Sequence, residues 1–234
     1  MTARPRWRLA EERHGSLPVL LLVLTLVTGV IDAISILTFG RVFVANMTGN
    51  VVISGFAIAG VREFSLRTSL SVLVAFLFGA AVGGFLIDRI DGRGGLLRAA
   101  VSTEWVLLAV CLVLVLVHPP VVDSASTLAA AVIAAVAMGI QNAVARRIAV
   151  PDLSTSVVGM SMIGLAADHS HSTRQAVVRR ATAVLSLLMG AIVGAVLVRT
   201  VGAAAGFGLI LVLLAVVGLA AHSFLRRGPD WEEG

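Results

Sequence analysis

The chain has 234 residues, of which 58% are hydrophobic and only 13% are charged. A soluble domain carries about 25% charged residues, so this composition excludes an ordinary soluble protein and indicates a protein built for lipid. The formal net charge is +5, and all 18 basic residues are arginine. Because the arginines lie at the ends of apolar runs, they predict contact with lipid headgroups rather than with nucleic acid.

Six apolar runs are long enough to cross a bilayer, which takes about 20 residues. The first begins near Pro18, which suits a first helical turn, and ends before Gly40, which suits a helix stop. It is longer than the core of a secretory signal, so we interpret it as a transmembrane helix that is retained. The predicted spans are residues 17–39, 66–87, 99–117, 128–144, 181–198 and 203–219.

Two shorter and more polar segments, residues 42–60 and 151–167, leave the topology open. If both re-enter from one side there are six spans, and if both cross there are eight. With the N-terminus inside, six spans put 14 arginines inside and 4 outside, whereas eight spans put 11 inside and 7 outside. The stronger positive-inside bias favours an all-α polytopic bundle of six spans plus two broken or re-entrant segments, with eight spans as the alternative.

The order of these segments repeats after about 110 residues, which predicts an internal duplication. Residues 77–86 and 188–197 are identical at six of ten positions. The motif Gly29-Val-Ile-Asp32 corresponds to Gly139-Ile-Gln-Asn142. With three spans each, the two repeats would be inverted in the membrane. We therefore predict cytoplasmic tails at residues 1–16 and 226–234 around one membrane domain, residues 17–225, made of repeats 17–117 and 126–222.

Asp32 is a carboxylate well inside the first apolar run. Thr25, Thr28 and Ser35 share its helical face, because the spacing of these residues is three or four. Ionisable groups inside membranes are costly and usually face a protein interior or a water-filled path. Asp32 is therefore either a coupling or gating group that lines a pathway, or a structural carboxylate hydrogen-bonded to the neighbouring segment.

Amide and hydroxyl side chains cluster in the two short polar segments and at the second repeat's counterpart of Asp32. Broken helices with such groups bind polar solutes near the midplane in many transporters. The competing interpretation is that they are interhelical hydrogen-bonding groups, worth about 0.6 kcal/mol each. The candidate substrate-binding or coupling residues are Asp32, Asn46, Thr48, Asn50, Gln141, Asn142, Ser154 and Thr155.

Two Gly-xxx-Gly motifs occur at the same place in the two repeats and predict close helix crossings. They are Gly79 with Gly83, and Gly190 with Gly194. This pattern indicates packing rather than chemistry.

Other polar residues carry less weight as functional candidates. Glu104 and His118 are interpreted as interfacial, near the two ends of one span. The loop with Asp168, His169 and His171 lacks further clustered ligands, so we predict no metal site and no cofactor. The sequence contains no HExxH, GxSxG or phosphate-binding motif and no lysine, so we do not expect an enzyme.

Two runs carry a family resemblance that covers about residues 17–225. The run VTGVIDAISILTFGRVFVANMTGNVV, in which VANMTGN is the more specific part, resembles the YoaK-like bacterial membrane proteins, a family defined by a domain of unknown function. The run MGIQNAVARRIAVPDLSTSVV resembles the second block of that family, although Leu-Ser-Thr-Ser replaces a threonine-rich string. The resemblance implies a multi-pass bacterial cytoplasmic-membrane protein and carries over no activity or site residue.

These features predict a secondary transporter or channel-like permease for a small solute, with the proton as a possible coupling ion. The alternative is a non-transporting membrane scaffold or partner-binding protein, whose working surfaces would be the Gly-xxx-Gly faces and the arginine-rich loops. Both place the N- and C-termini in the cytoplasm. They differ in whether water reaches Asp32.

Overall fold

The computed structural model describes residues 17–90, 92–122, 124–148 and 174–225, and these ranges form seven α-helices without any strand. Six of the helices are long and apolar enough to cross a membrane. The predicted polytopic helical bundle is therefore confirmed, while the second short segment and both tails lie outside the described residues. The helices are α1 (Leu17–Thr38), α2 (Met47–Ile58), α3 (Leu66–Arg89), α4 (Arg93–Val117), α5 (Ala125–Ile148), α6 (Arg174–Thr200) and α7 (Ala203–Leu225).

The short helix α2 has only 12 residues, or about 18 Å at 1.5 Å per residue. A hydrocarbon core of about 30 Å is too thick for it to cross. The residue before it, Asn46, hydrogen-bonds Asp32, which lies about 9 Å before the end of α1. The chain therefore turns back into the bundle after α1 and leaves it again along α2, as expected of a re-entrant segment.

Cysteine labelling of the two ends of α2 tests this topology. We expect Arg41→Cys and Arg62→Cys to react with an impermeant thiol reagent from the same face of the membrane, because a re-entrant helix returns to the side it came from. Both arginines are exposed, and Arg41 already has a positive φ of 61°, so cysteine adds little strain there. Labelling of the two positions from opposite faces would instead show that α2 crosses.

The centre of the bundle is formed by α1 and α5. In their most apolar stretches, 72% and 67% of the residues are buried, against 17–33% in the other four spans. These two helices carry the motifs around Asp32 and Asn142. Large apolar side chains such as Val74, Phe78 and Val212 are exposed on the outer helices, as expected of a surface that faces lipid.

The two most extensive helix contacts join α1 to α6 and α3 to α5, so each pairs a helix of one predicted repeat with a helix of the other. Glycine makes both possible. A Cβ added at Gly29 would lie 2.8 Å from the backbone nitrogen of Ala191, and one at Gly139 would lie 2.8 Å from that of Ala80. The glycines on the facing helices also allow this close approach. At the first crossing, a Cβ added at Gly190 or Gly194 would contact the backbone of Leu26 or Val30, respectively. At the second, a Cβ added at Gly79 or Gly83 would contact the backbone of Val136 or Ile140.

The two crossings are thus built in the same way, on residues that correspond in the two predicted repeats. Small residues let the backbones approach closely where no hydrophobic driving force exists between helices in lipid. The duplication itself stays a prediction.

Candidate functional site

A cavity of about 520 Å³ lies where the N-terminal end of α2 meets α3 and α5. Its polar lining comes from both predicted repeats, with Asn46 and Thr48 from the first and Asn142 and Arg146 from the second. Apolar side chains, including Phe76 on α3, complete the wall. The first N–H groups of a helix carry a partial positive charge, so the end of α2 adds a dipole to this cavity.

Asp32 holds the chain that leads into α2. One carboxylate oxygen accepts the backbone N–H groups of Val44 and Ala45, at 3.2 and 3.0 Å, and the other accepts the side-chain amide of Asn46 at 2.5 Å. Asp32 is only 5% exposed, so these three donors replace its lost hydration. The carboxylate thus fixes the segment that carries the cavity's polar residues.

Asn50 holds the same segment from the other side. Its side-chain oxygen accepts the N–H of Phe43 at 2.9 Å, and its amide group donates to the carbonyl of Phe43 at 2.5 Å and to the sulfur of Met47 at 3.4 Å. The side chain is fully buried. Asn50 therefore fixes residues 43–47 by hydrogen bonds to Phe43 and Met47, and it does not line the cavity.

Gln141 faces away from the cavity, toward a second buried carboxyl group. Its amide lies between Glu104 on α4, with contacts of 2.6 and 3.0 Å, and the hydroxyl of Thr28 on α1 at 3.3 Å. All three residues are at most 2% exposed. The result is a hydrogen-bonded chain that links three helices inside the bundle.

The interfacial placement of Glu104 is wrong. The predicted span begins at residue 99, but α4 begins at Arg93, because the helix continues through the glycine-rich loop sequence. Glu104 therefore lies about 17 Å along the helix and is 0% exposed. The sequence offered one signal, a carboxylate within an otherwise apolar run, but it did not reveal that α4 begins six residues before the predicted span. His118 follows α4 directly and is exposed, in line with its predicted interfacial position.

The structure therefore divides the predicted site residues. One cavity is lined by Asn46, Thr48 and Asn142. Asp32 does not line it but hydrogen-bonds the segment that carries Asn46. Asn50 and Gln141 serve other hydrogen-bond networks. Ser154 and Thr155 lie outside the described residues, and Arg146 is a cavity residue that the sequence did not single out.

No group of three or more His, Cys, Asp or Glu residues that could hold a metal ion occurs within the described parts of the chain. The polar groups of the cavity are amides, a hydroxyl and a guanidinium. Such a donor set suits hydrogen bonding to a polar solute.

Comparison with known proteins places the chain among membrane proteins without an established activity. The model of a family described as "Protein of unknown function (DUF1275)" matches residues 20–220. The chain belongs to this family. It is also 28% identical over 155 residues to the UPF0700 transmembrane protein YoaK of Bacillus subtilis (strain 168), a match that covers 64% of this chain and 66% of that protein. No solved structure matches the chain.

The family match spans both predicted repeats, so the family resemblance seen in the sequence is confirmed. A multi-pass transmembrane protein is what the relative's name and the six apolar helices together indicate. Neither description names a substrate.

Proposed function

We propose that the chain is a secondary transporter or channel-like permease, and that the cavity between α2, α3 and α5 is its solute site. The observation that carries this proposal is the convergence of Asn46, Thr48 and Asn142 on one cavity of about 520 Å³. Small-molecule sites usually measure about 300–1,000 Å³ and combine apolar walls with a few convergent polar groups. The solute is therefore a small polar molecule.

The half-helix α2 supports the same function. Transporters bind polar solutes where a broken helix presents unpaired backbone groups near the midplane. Here the N-terminal end of α2 opens onto the cavity, and Asp32 holds its entry segment in place. Asp32 acts in gating through this segment, because any movement of Ala45 and Asn46 must break hydrogen bonds to its carboxylate.

The matching helix crossings support two inverted repeats as the moving parts. Gly29 with Gly190 and Gly79 with Gly139 form equivalent contacts between the halves. Alternating access in inverted-repeat transporters is largely the rocking of one half against the other. The arginine distribution supports cytoplasmic termini in a bacterial inner membrane.

The scaffold alternative receives less support. Its proposed surfaces include the Gly-xxx-Gly faces, but Gly79, Gly83, Gly190 and Gly194 pack against helices of the same molecule. These faces are therefore already covered.

Water access to the cavity separates a transporter from a scaffold. In a Cys111→Ser background, we expect Thr48→Cys to react with an impermeant maleimide both in intact cells and in inverted vesicles. Thiols react as thiolates, which require water, so a cysteine in dry packing or lipid stays unlabelled. The matched control is Val74→Cys on α3, which is 65% exposed in the lipid-facing part of the bundle and should not react. Serine at 111 keeps a donor for the carbonyl of Ala130.

Reaction of Thr48→Cys from both sides would show that the cavity opens to each compartment. A cysteine at this position that reacts from neither side, or always from the same side, would contradict the proposal and favour a scaffold.

A further inference from the structure

Glu104 is the buried ionisable group that the solute site does not use. It lies near the middle of α4, is 0% exposed, and has both carboxyl oxygens within 3.0 Å of the Gln141 amide. Among the described residues, no arginine or histidine forms an ion pair with it. The ionisable residues on helices that pack against α4 lie in the end turns of those helices: Arg67, Asp88 and Arg89 on α3, Arg146 and Arg147 on α5, and His222 on α7.

The other buried carboxylate among the described residues is Asp32, one helical turn from Thr28 on α1. Asp32 is already engaged by three N–H donors, two of them from the backbone. Glu104 has one neutral amide instead. A carboxylate inside a membrane protein without a cation or several donors is costly, whereas a neutral carboxylic acid with one hydrogen-bond partner is not. The two carboxyl groups therefore have different tasks.

Gln141 fits both protonation states of Glu104, because an amide presents a donor and an acceptor at similar positions. With its oxygen toward Glu104, it accepts a hydrogen bond from the O–H of the neutral acid across the 2.6 Å contact, while its nitrogen donates to Thr28 at 3.3 Å. With its nitrogen toward Glu104, it donates to the ionised carboxylate, while its oxygen accepts from the Thr28 hydroxyl. A half-turn of one amide group thus follows the gain or loss of one proton.

Thr28 is able to adapt in the same way. Its hydroxyl donates to the carbonyl of Leu24 at 3.0 Å when Gln141 donates to it, and it turns toward Gln141 in the other state. The hydrogen bonds therefore rearrange across α4, α5 and α1 without any change of backbone. The next turn of α1 carries Asp32, which holds the entry to α2, and the residue after Gln141 lines the cavity.

We propose that Glu104 is a proton-binding site and that Gln141 is the positioning residue that accommodates its two states. The step is the transfer of one proton between water and the carboxylate, with no change in any carbon bond. Use of this proton to drive solute movement rests on the proposed function, whereas its binding does not. The proposal thus assigns proton binding to Glu104, while Asp32 holds the segment before α2 through which it acts in gating.

Infrared difference spectroscopy tests proton binding directly. We would step the pH of the purified full chain in lipid nanodiscs and follow the carbonyl stretch of protonated carboxylic acids, which is resolved from the amide bands. The expected result is a carboxylic acid band that disappears at alkaline pH, is lost in Glu104→Gln and is retained in Asp32→Asn. Glutamine preserves the amide contact with Gln141, so this variant should fold.

Two further variants make the assignment specific. Glu104→Asp should keep the band at a shifted frequency, and Gln141→Leu should shift it because the carboxyl group loses its hydrogen-bond partner. The absence of a titrating band, or a band unchanged by Glu104→Gln, would overturn the proposal. If Thr48→Cys is not labelled from either side but this band is present, the proposed transporter function is contradicted and the proton-binding site at Glu104 is still supported.

Discussion

Replacement of Gly29 by alanine is expected to destabilise the protein by about 3 kcal/mol or more. The added methyl group would overlap the backbone carbonyl of Leu187 and lie 2.8 Å from the nitrogen of Ala191. Backbone atoms of a packed helix cannot turn away as a side chain does, so α1 and α6 must separate along their crossing. The midpoint of thermal unfolding in detergent measures the loss.

Gly139→Ala should cause a loss of similar size, because it places a methyl group against α3 in the same geometry. Gly84→Ala is the matched control: nothing lies within 4 Å of the added Cβ, and alanine is favoured over glycine in a helix by about 1 kcal/mol. Equal unfolding midpoints for Gly29→Ala and Gly84→Ala would show that the crossing of α1 and α6 is looser than described. Clearly different losses of stability for Gly29→Ala and Gly139→Ala would argue against equivalent packing at the α1–α6 and α3–α5 crossings.

Hydropathy predicted the six spans, because each transmembrane helix must by itself be long and apolar enough to cross the hydrocarbon core. It could not predict which spans touch. The Gly-xxx-Gly motif around Gly79 indicated a close crossing, but its partner helix α5 is recognisable only once the chain is folded. Lipid is as apolar as the helix faces, so hydrophobicity along the sequence carries no information about neighbours.

Sequence likewise identified some residues of the candidate site but not the residues that they contact. Asp32 and Asn46 drew attention because polar groups in apolar runs require partners. Which partners they find depends on the turn between α1 and α2, where Gly40 has a positive φ of 88°. Glu104 was misplaced because the sequence before it looks like a loop. A helix boundary shifted by six residues moved a carboxylate from the interface to the interior.

Asp32→Ala is expected to have the second large effect, a destabilisation of about 3 kcal/mol or more. It leaves the N–H groups of Val44 and Ala45 without their acceptor in a buried place, and each such group costs about 1–3 kcal/mol. The segment before α2 should loosen, and with it the polar wall of the cavity. Amide hydrogen exchange of peptides that cover residues 42–46 measures this directly, and their protection should fall strongly.

Asp32→Asn should be much milder, because its side-chain oxygen still accepts the two backbone N–H groups, and Asn46 can turn its amide so that its oxygen accepts a hydrogen bond from the new N–H. The expected order of exchange protection is thus wild type, then Asp32→Asn, then Asp32→Ala well below. Asp88→Ala at the exposed end of α3 is the control for loss of a carboxylate, and it should leave residues 42–46 protected.

The same pair of variants distinguishes support from coupling. If Asp32 serves mainly through the segment before α2, Asp32→Asn should retain the two-sided reactivity of Thr48→Cys, because the position of α2 is preserved. Full protection of residues 42–46 together with loss of that reactivity would show that the charge itself is required, and Asp32 would then be a coupling group alongside Glu104. In the predicted duplication, Asp32 corresponds to Asn142, whose side-chain amide donates a hydrogen bond to the carbonyl of Met138. A neutral amide at the predicted counterpart favours a role for Asp32 through hydrogen bonds rather than through its charge.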